Sequence, residues 1–378
     1  MAARTVGPRR SIDGMRQDSP EVTPAAGTVL LVTADASVRE DVERLAAAVG
    51  LTVEAVPEPG AAGRRWVETP LVLLGRDTAG LGVPVRRTGV VLVGSVPDEA
   101  VWRLAVQCGA EAVAVLPADE AWLLERLACE ADGAGTPGRV LGVLGGRGGA
   151  GASTLAAGAA VAAARSGADV LLVDADPAGG GLDLLLGMES RPGLGWPDLR
   201  RVSGVLRGSL LRDGLPQDDR LRLLGWGSEP AEALPVAALE AVLDAGRRSH
   251  DLVVVDLPRS AEPATVAALW RLDLLLLVVP AEVRAAATAA TTVARVGPDV
   301  GASQLVVRGP APTGLTVEAV AEAVGLPVAA VWPDEPGLAV DADRGVPPGT
   351  RPGSALGSVV RPVVAGLLAD QTWPRAVA

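Results

Sequence analysis

Short, nearly unbroken runs of Val and Leu constrain this chain most. Thr28–Thr33, Leu51–Val56, Pro70–Leu74, Gly89–Gly94 and Ala112–Leu116 come first. Val140–Leu144, Asp169–Val173, Leu221–Leu224, Asp251–Val255, Leu272–Val279, Gln304–Arg308 and Val328–Val331 follow. Runs of this length without polar alternation suit strands buried on both faces, as in a parallel sheet covered by helices. The stretches between them, such as Ser37–Val49, Asp98–Cys108, Asp119–Ala131 and Ser153–Ser166, carry helical spacing. The expected fold class is therefore α/β, with two parallel-sheet, three-layer domains.

The small-residue stretch Ala131–Gly138 (ADGAGTPG) marks the boundary between them. The expected organisation is a disordered tail over 1–26, a first domain over 27–131, a linker over 132–138, a second domain over 139–369 and a tail over 370–378. The first segment has four arginines but no apolar signal-peptide core, and no run is long enough to span a bilayer, so a cytoplasmic protein is expected.

Composition removes several function classes. The formal net charge is −11 over 378 residues, so a broad nucleic-acid-coating surface is not expected. All 34 basic residues are arginine, and no chemistry here can use a lysine. Two cysteines, Cys108 and Cys129, and one histidine, His250, supply neither a disulfide framework nor a zinc cluster.

The segment that carries chemistry is Gly145–Thr154, GGRGGAGAST, between a strand and a helix. Glycines let backbone N–H groups approach a phosphate, and the helix start favours an anion. Two sites can be built this way. Gly146, Gly148 and Gly151 satisfy the dinucleotide fingerprint G-x-G-x-x-G, with Asp174 ending the next strand where a ribose-binding acid belongs. Alternatively, Gly146–Ser153 is a phosphate loop of the form G-x-x-x-x-G-K-[ST], with Ala152 in the lysine position. Other segments favour the second reading. Asp174-Ala175-Asp176-Pro177 leads to Gly181-Leu182-Asp183, and Asp251–Asp256 is an apolar strand ending in an acid of the metal-ordering type.

On these residues the region 139–348 resembles the MinD/ParA family of deviant phosphate-loop ATPases, whose loop reads KGGxGK[ST][ST] where this chain has RGGAGAST. The segment Ala323–Gly345 also matches. The branch it resembles contains the CpaE pilus-localisation proteins and the actinobacterial septum site-determining proteins. Residues 27–131 resemble a response-regulator receiver, of flavodoxin-like fold, with its chemistry missing. Gly75 stands where the phosphoacceptor aspartate belongs, Leu116 where the lysine before Pro117 belongs, and Asp35 alone remains of the acidic pair. Asp77 is the substitute acceptor to consider.

The resemblance implies ATP and Mg²⁺ as cofactors. It assigns Ser153 to the metal, Thr154 to a phosphate, and the backbone of Gly146, Gly148, Gly149, Gly151 and Ala152 to the phosphates. Asp256 would order the metal through water, and Asp176 would polarise the attacking water with Asp174 beside it. Arg147, at the position of the lysine that reaches a partner's nucleotide, is the catalytic residue expected to act in trans. Arg308 replaces an adenine-contacting asparagine. Weak or absent hydrolysis follows from Ala152. A homodimer acting on septum or pilus/secretion proteins is implied, with recruitment to the membrane through a partner. The apolar segment Leu356–Ala369 contains only Arg361 and is broken by Pro362, so it reads as a packed helix rather than an anchor. The alternatives are a pseudo-ATPase scaffold and an NAD-dependent oxidoreductase.

Overall fold

The computed structural model describes residues 27–369 other than 97–98, 134–136, 203, 228–232, 261, 297–301 and 310–313. Both terminal tails lie outside the described residues. The first sheet is built from β1 (Thr28–Val32), β2 (Thr52–Val56), β3 (Val72–Gly75), β4 (Val90–Gly94) and β5 (Ala112–Val115), in the order β2-β1-β3-β4-β5. All its ladders are parallel. This is the flavodoxin-like order, which places the strand carboxyl ends and their loops on one edge. Alternate residues of β1 divide between two cores, Val29 and Leu31 on one face and Leu30 and Val32 on the other. That division explains why the run had to be apolar throughout.

The second sheet comprises β6 (Arg139–Gly145), β7 (Val170–Asp174), β8 (Gln217–Asp218), β9 (Leu221–Leu224), β10 (Leu252–Leu257), β11 (Leu274–Pro280), β12 (Ala302–Arg308) and β13 (Val328–Trp332). Their order is β13-β12-β11-β6-β10-β7-β9-β8. The ladders are parallel except the last, where the two-residue β8 pairs antiparallel with β9. That edge strand carries no apolar run and is not visible in the sequence pattern. β6, which feeds the glycine loop, lies between β11 and β10 near the centre.

The helix Ala355–Leu368 is packed, as its sequence suggests. Leu356, Val359, Val360, Val363, Val364 and Leu367 are buried with the alanine-rich helix Ala152–Arg165. The approach is close at Gly158, where a Cβ would fall 2.8 Å from Leu356 Cδ2. Among the described residues no helix is long and apolar enough to cross a membrane.

The two sheets' layers touch. The helix Glu120–Asp132 of the first meets the helix Val236–Ser249 of the second, and Val205 packs against the core of the first. Arg248 reaches Glu125 and Asp132, and Asp132 also accepts a hydrogen bond from Gly208 N at 2.8 Å.

Candidate functional site

The glycine loop leaves β6 and is held by Gly146 N donating to Val278 O at 2.8 Å. Gly149 (φ +71°) and Gly151 (φ +98°) occupy the left-handed region, which a side chain would strain. Gly151 is the N-cap of the helix Ala152–Arg165, and no side chain caps that helix start. Its first backbone N–H groups therefore lack intrahelical partners, the arrangement a phosphate oxygen can fill.

Beneath the loop, β6, β10 and β7 lie side by side. Asp256 is in register with Val143 on one side and Asp174 on the other. Asp174 ends β7 and Asp256 is next to last in β10, both at the sheet's carboxyl edge, and both are buried. The Ser153 hydroxyl lies near Asp256, where it favours the charged carboxylate. Asp174 accepts from Asp176 N at 3.1 Å and Leu182 N at 3.3 Å. Burial pushes the Asp256 carboxyl up to about 7, against the effect of Ser153, and the charges of Asp174 and Asp176 push the same way as burial. Burial raises Asp174 to about 6, against its two backbone donors. The pair is short of positive charge.

Ser153, Thr154, Asp174 and Asp256 line one cleft of about 870 Å³, with Arg344 and Glu189 on its walls. Asp176 and Arg147 do not line it. The Asp176 carboxylate accepts from Ala178 N at 3.0 Å, closing a local turn. Arg147, expected to reach a partner's phosphates, pairs within its own chain with Glu282 at 2.8 Å and donates to Gly148 O at 2.9 Å. Glu282 is a residue the sequence reading missed. It lies far along the chain, and only the β11–β6 pairing brings it to the loop.

Two further arginines flank the loop. Arg308 lies over the Trp332 ring at 4.8 Å and donates to Ala150 O at 3.3 Å, so it braces the loop from behind. Arg259 was also missed, although it directly follows the Asp256-Leu257-Pro258 run. A Cβ added at Gly148 would sit 3.3 Å from its Nη2. Asp174 is 2% exposed, and its carboxylate is committed to two backbone donors.

The first domain's corresponding edge holds a small cleft of about 210 Å³ lined by Asp35, Arg76 and Asp77. Asp77 accepts from Thr33 Oγ1 at 2.8 Å and Ala34 N at 2.7 Å, and Asp35 caps the following helix through Ser37 and Val38. A Cβ at Gly75 would fall 2.2 Å from Asp77 Oδ1. The Asp77 carboxylate thus fills the space an acceptor at position 75 would need.

Comparison with known proteins agrees with this architecture. A family model described as "Rv3660c-like, CheY-like N-terminal domain" matches residues 32–138, and one described as "Cellulose biosynthesis protein BcsQ" matches 139–293. The uncharacterized protein Rv3660c of Mycobacterium tuberculosis is 41% identical over 322 residues, covering 82% of this chain and 90% of that protein. The septum site-determining protein MinD of Synechocystis is 24% identical over 217 residues, covering 55% of this chain and 81% of that protein. Among solved structures, a ParA family ATPase from Chlorobium tepidum superposes with a TM-score of 0.54 at 20% identity, over 62% of this chain and 99% of that one. The MinD cell division protein of Aquifex aeolicus does so at 0.52 and 22%, over 62% and 98%. With a relative this similar along most of its length, the chain belongs to the Rv3660c-like family, in which a CheY-like domain precedes a phosphate-loop NTPase fold of the MinD/ParA type.

Proposed function

We propose that this protein is a nucleotide-responsive spatial regulator in which the cleft beside Gly146–Thr154 takes Mg·ATP weakly. The observation that carries the reading is one cleft lined by Ser153, Thr154, Asp174 and Asp256, with the two buried acids in register on neighbouring strands beneath the loop. Ser153 and Asp256 offer the hard oxygen donors Mg²⁺ prefers, and one or two carboxylates plus phosphates are its usual set. When bound, the ion neutralises phosphate charge. Ser153 would hold it directly and Asp256 through water, and the backbone of Gly148, Gly149, Gly151 and Ala152 would hold phosphate oxygens. Asp174 and Asp176 would orient water near the terminal phosphate. Losing the lysine at Ala152 removes a charged donor, so turnover is slow or absent.

Binding would favour a homodimer, and that dimer would act on septum or pilus/secretion proteins, reaching the membrane through a partner. The CheY-like domain, docked on the helix Val236–Ser249, would be a contact module rather than a phosphate-driven switch. A second reading, a scaffold that never cycles nucleotide, is favoured by Ala152 and by the pairing of Arg147 to Glu282 within one chain.

Calorimetric titration with Mg·ATP, ADP and NAD tests these readings. The expected result is weak Mg·ATP binding, tightened in Ala152→Lys, and no NAD binding. Absence of ATP binding in both proteins would select the scaffold.

A further inference from the structure

The cleft is rich in carboxylates, and the position where a phosphate loop carries its lysine holds a methyl group. A polyanion entering beside Asp174, Asp256, Glu189 and Asp343 meets one cation of this chain on the cleft wall, Arg344, and none from position 152 of the loop. Of the arginines at the loop itself, Arg147 is engaged with Glu282. Arg308 is engaged with Trp332 and Ala150 O, and lies 3.9 Å from Asp334. Arg259 differs from both. It is exposed, and among the described residues it has no ion pair or hydrogen bond. It lies beside the cleft rather than in its lining, on a small neighbouring pocket with Pro258, Ser260 and Thr292, and its guanidinium reaches the loop, 3.3 Å from where a Gly148 side chain would begin.

The backbone explains the placement. Asp256 and Leu257 end β10, next to β6, and Pro258 turns the chain. Arg259 thus leaves the sheet edge three residues after the acid near Ser153 and beside the loop that follows β6. One short segment brings both the acid beneath the loop and a cation at its crest. Bulk at position 148 would press on Arg259, so the glycine there also leaves room for the guanidinium.

We infer that Arg259 is a phosphate-binding residue, supplying from the loop after β10 the positive charge that Ala152 does not. Its target is the terminal phosphates of a nucleoside di- or triphosphate, which a planar guanidinium grips with two parallel donors. The inference rests on the nucleotide reading above and adds a cation at the glycine loop to Arg344, which stands on the cleft wall.

The test is equilibrium binding of Mg·ATP and Mg·ADP to the full chain in wild type, Arg259→Ala, Arg259→Lys and the double variant Ala152→Lys/Arg259→Ala. Arg259→Ala is expected to weaken binding about tenfold to a hundredfold, as for loss of a hydrogen bond to a charged group. Arg259→Lys should retain most of the affinity, and Ala152→Lys should restore it to the double variant. Binding to wild type should also fall more steeply with salt than binding to Arg259→Ala. Equal binding by wild type and Arg259→Ala overturns the role of Arg259 and leaves the nucleotide reading standing. No binding by wild type overturns both. Loss in Arg259→Ala that neither Arg259→Lys nor Ala152→Lys recovers, with a lowered melting temperature, makes Arg259 a structural residue and overturns the inference.

Discussion

Arg248 Nε lies 3.0 Å from Asp132 Oδ2, with side chains 8% and 2% exposed, and this ion pair joins the CheY-like domain to the NTPase fold. Asp132 also accepts from Gly208 N, and Arg248 donates to Leu206 O at 2.6 Å. Both charges are thus compensated out of water. Removing Asp132 leaves Arg248 only the half-exposed Glu125 and Leu206 O, so the cost reaches at most the about 3–5 kcal/mol of a stranded buried charge. Asp132→Ala should therefore lower the unfolding free energy by up to that amount and expose the Gly133 region to protease. Denaturant unfolding and limited proteolysis check this. A loss below about 1 kcal/mol would mean the pair is wet and the domains loosely joined.

His250, the chain's single histidine, is buried, and burial lowers its pKa to about 4. Ser249 Oγ donates to Ala245 O and lies 2.9 Å from His250 Nδ1, leaving Nε2 without a partner. In the unfolded chain imidazole titrates near 6.5, so the unfolded state binds more protons between pH 4 and 6.5. The stability this contributes is present above about pH 6.5 and is lost as pH falls toward 4, on the order of 3 kcal/mol. Comparing wild type with His250→Gln across that range should isolate it. The imidazole resonance, alone in its spectral region, should not titrate near pH 6.5.

Asp256 has the opposite sign. Its folded pKa of about 7 lies above the unfolded carboxylate value, so the folded state binds more protons between about pH 4 and 7. Its cost to stability is absent at pH 4 and complete above pH 7. Asp256→Asn should raise the melting temperature of nucleotide-free protein at pH 8, leave it nearly unchanged at pH 4, and reduce any Mg²⁺-dependent ATP binding. Destabilisation at pH 8 would show that Asp256 is held by interactions stronger than its burial.

The CheY-like domain should not take up phosphate. Treatment with acetyl phosphate is expected to leave the intact mass unchanged. Gly75→Asp should not restore the chemistry, because its Cβ would collide with Asp77 Oδ1 and Thr33 Oγ1, and it should lower stability instead. A phosphoryl adduct on Asp77 or Asp35 in the wild-type chain would refute this.

Arg147 and Glu282 are 37% and 44% exposed, so their pair contributes about 0–1 kcal/mol and opens readily. Arg147→Ala should leave folding unchanged and weaken an ATP-dependent dimer. Glu282→Gln, which frees Arg147, should strengthen that dimer. Light scattering with a slowly hydrolysed ATP analogue measures both. A dimer indifferent to both changes would remove the role in trans.

The strands were legible because each residue of a doubly covered strand meets a core, so its apolar run is visible without knowing its neighbours. β8 was not, because two exposed residues at a sheet edge carry no such constraint. The glycine loop was legible because left-handed backbone at Gly149 and Gly151 is a local demand. Ser153, Asp174 and Asp256 could be named from their places at strand and helix ends, since parallel pairing brings those ends to one edge.

The amino-acid order alone determined the two parallel sheets, the loop and the acids beneath it, all of them consequences of local backbone freedom and two-faced burial. Tertiary structure alone decided which charges meet. It paired Arg147 with Glu282 and Arg248 with Asp132, laid Arg259 against Gly148, and put the Asp77 carboxylate where an acceptor at position 75 would stand. Those outcomes depend on strand order and on side chains distant in sequence reaching one point. Neither is encoded in the periodicity that produces the strands themselves.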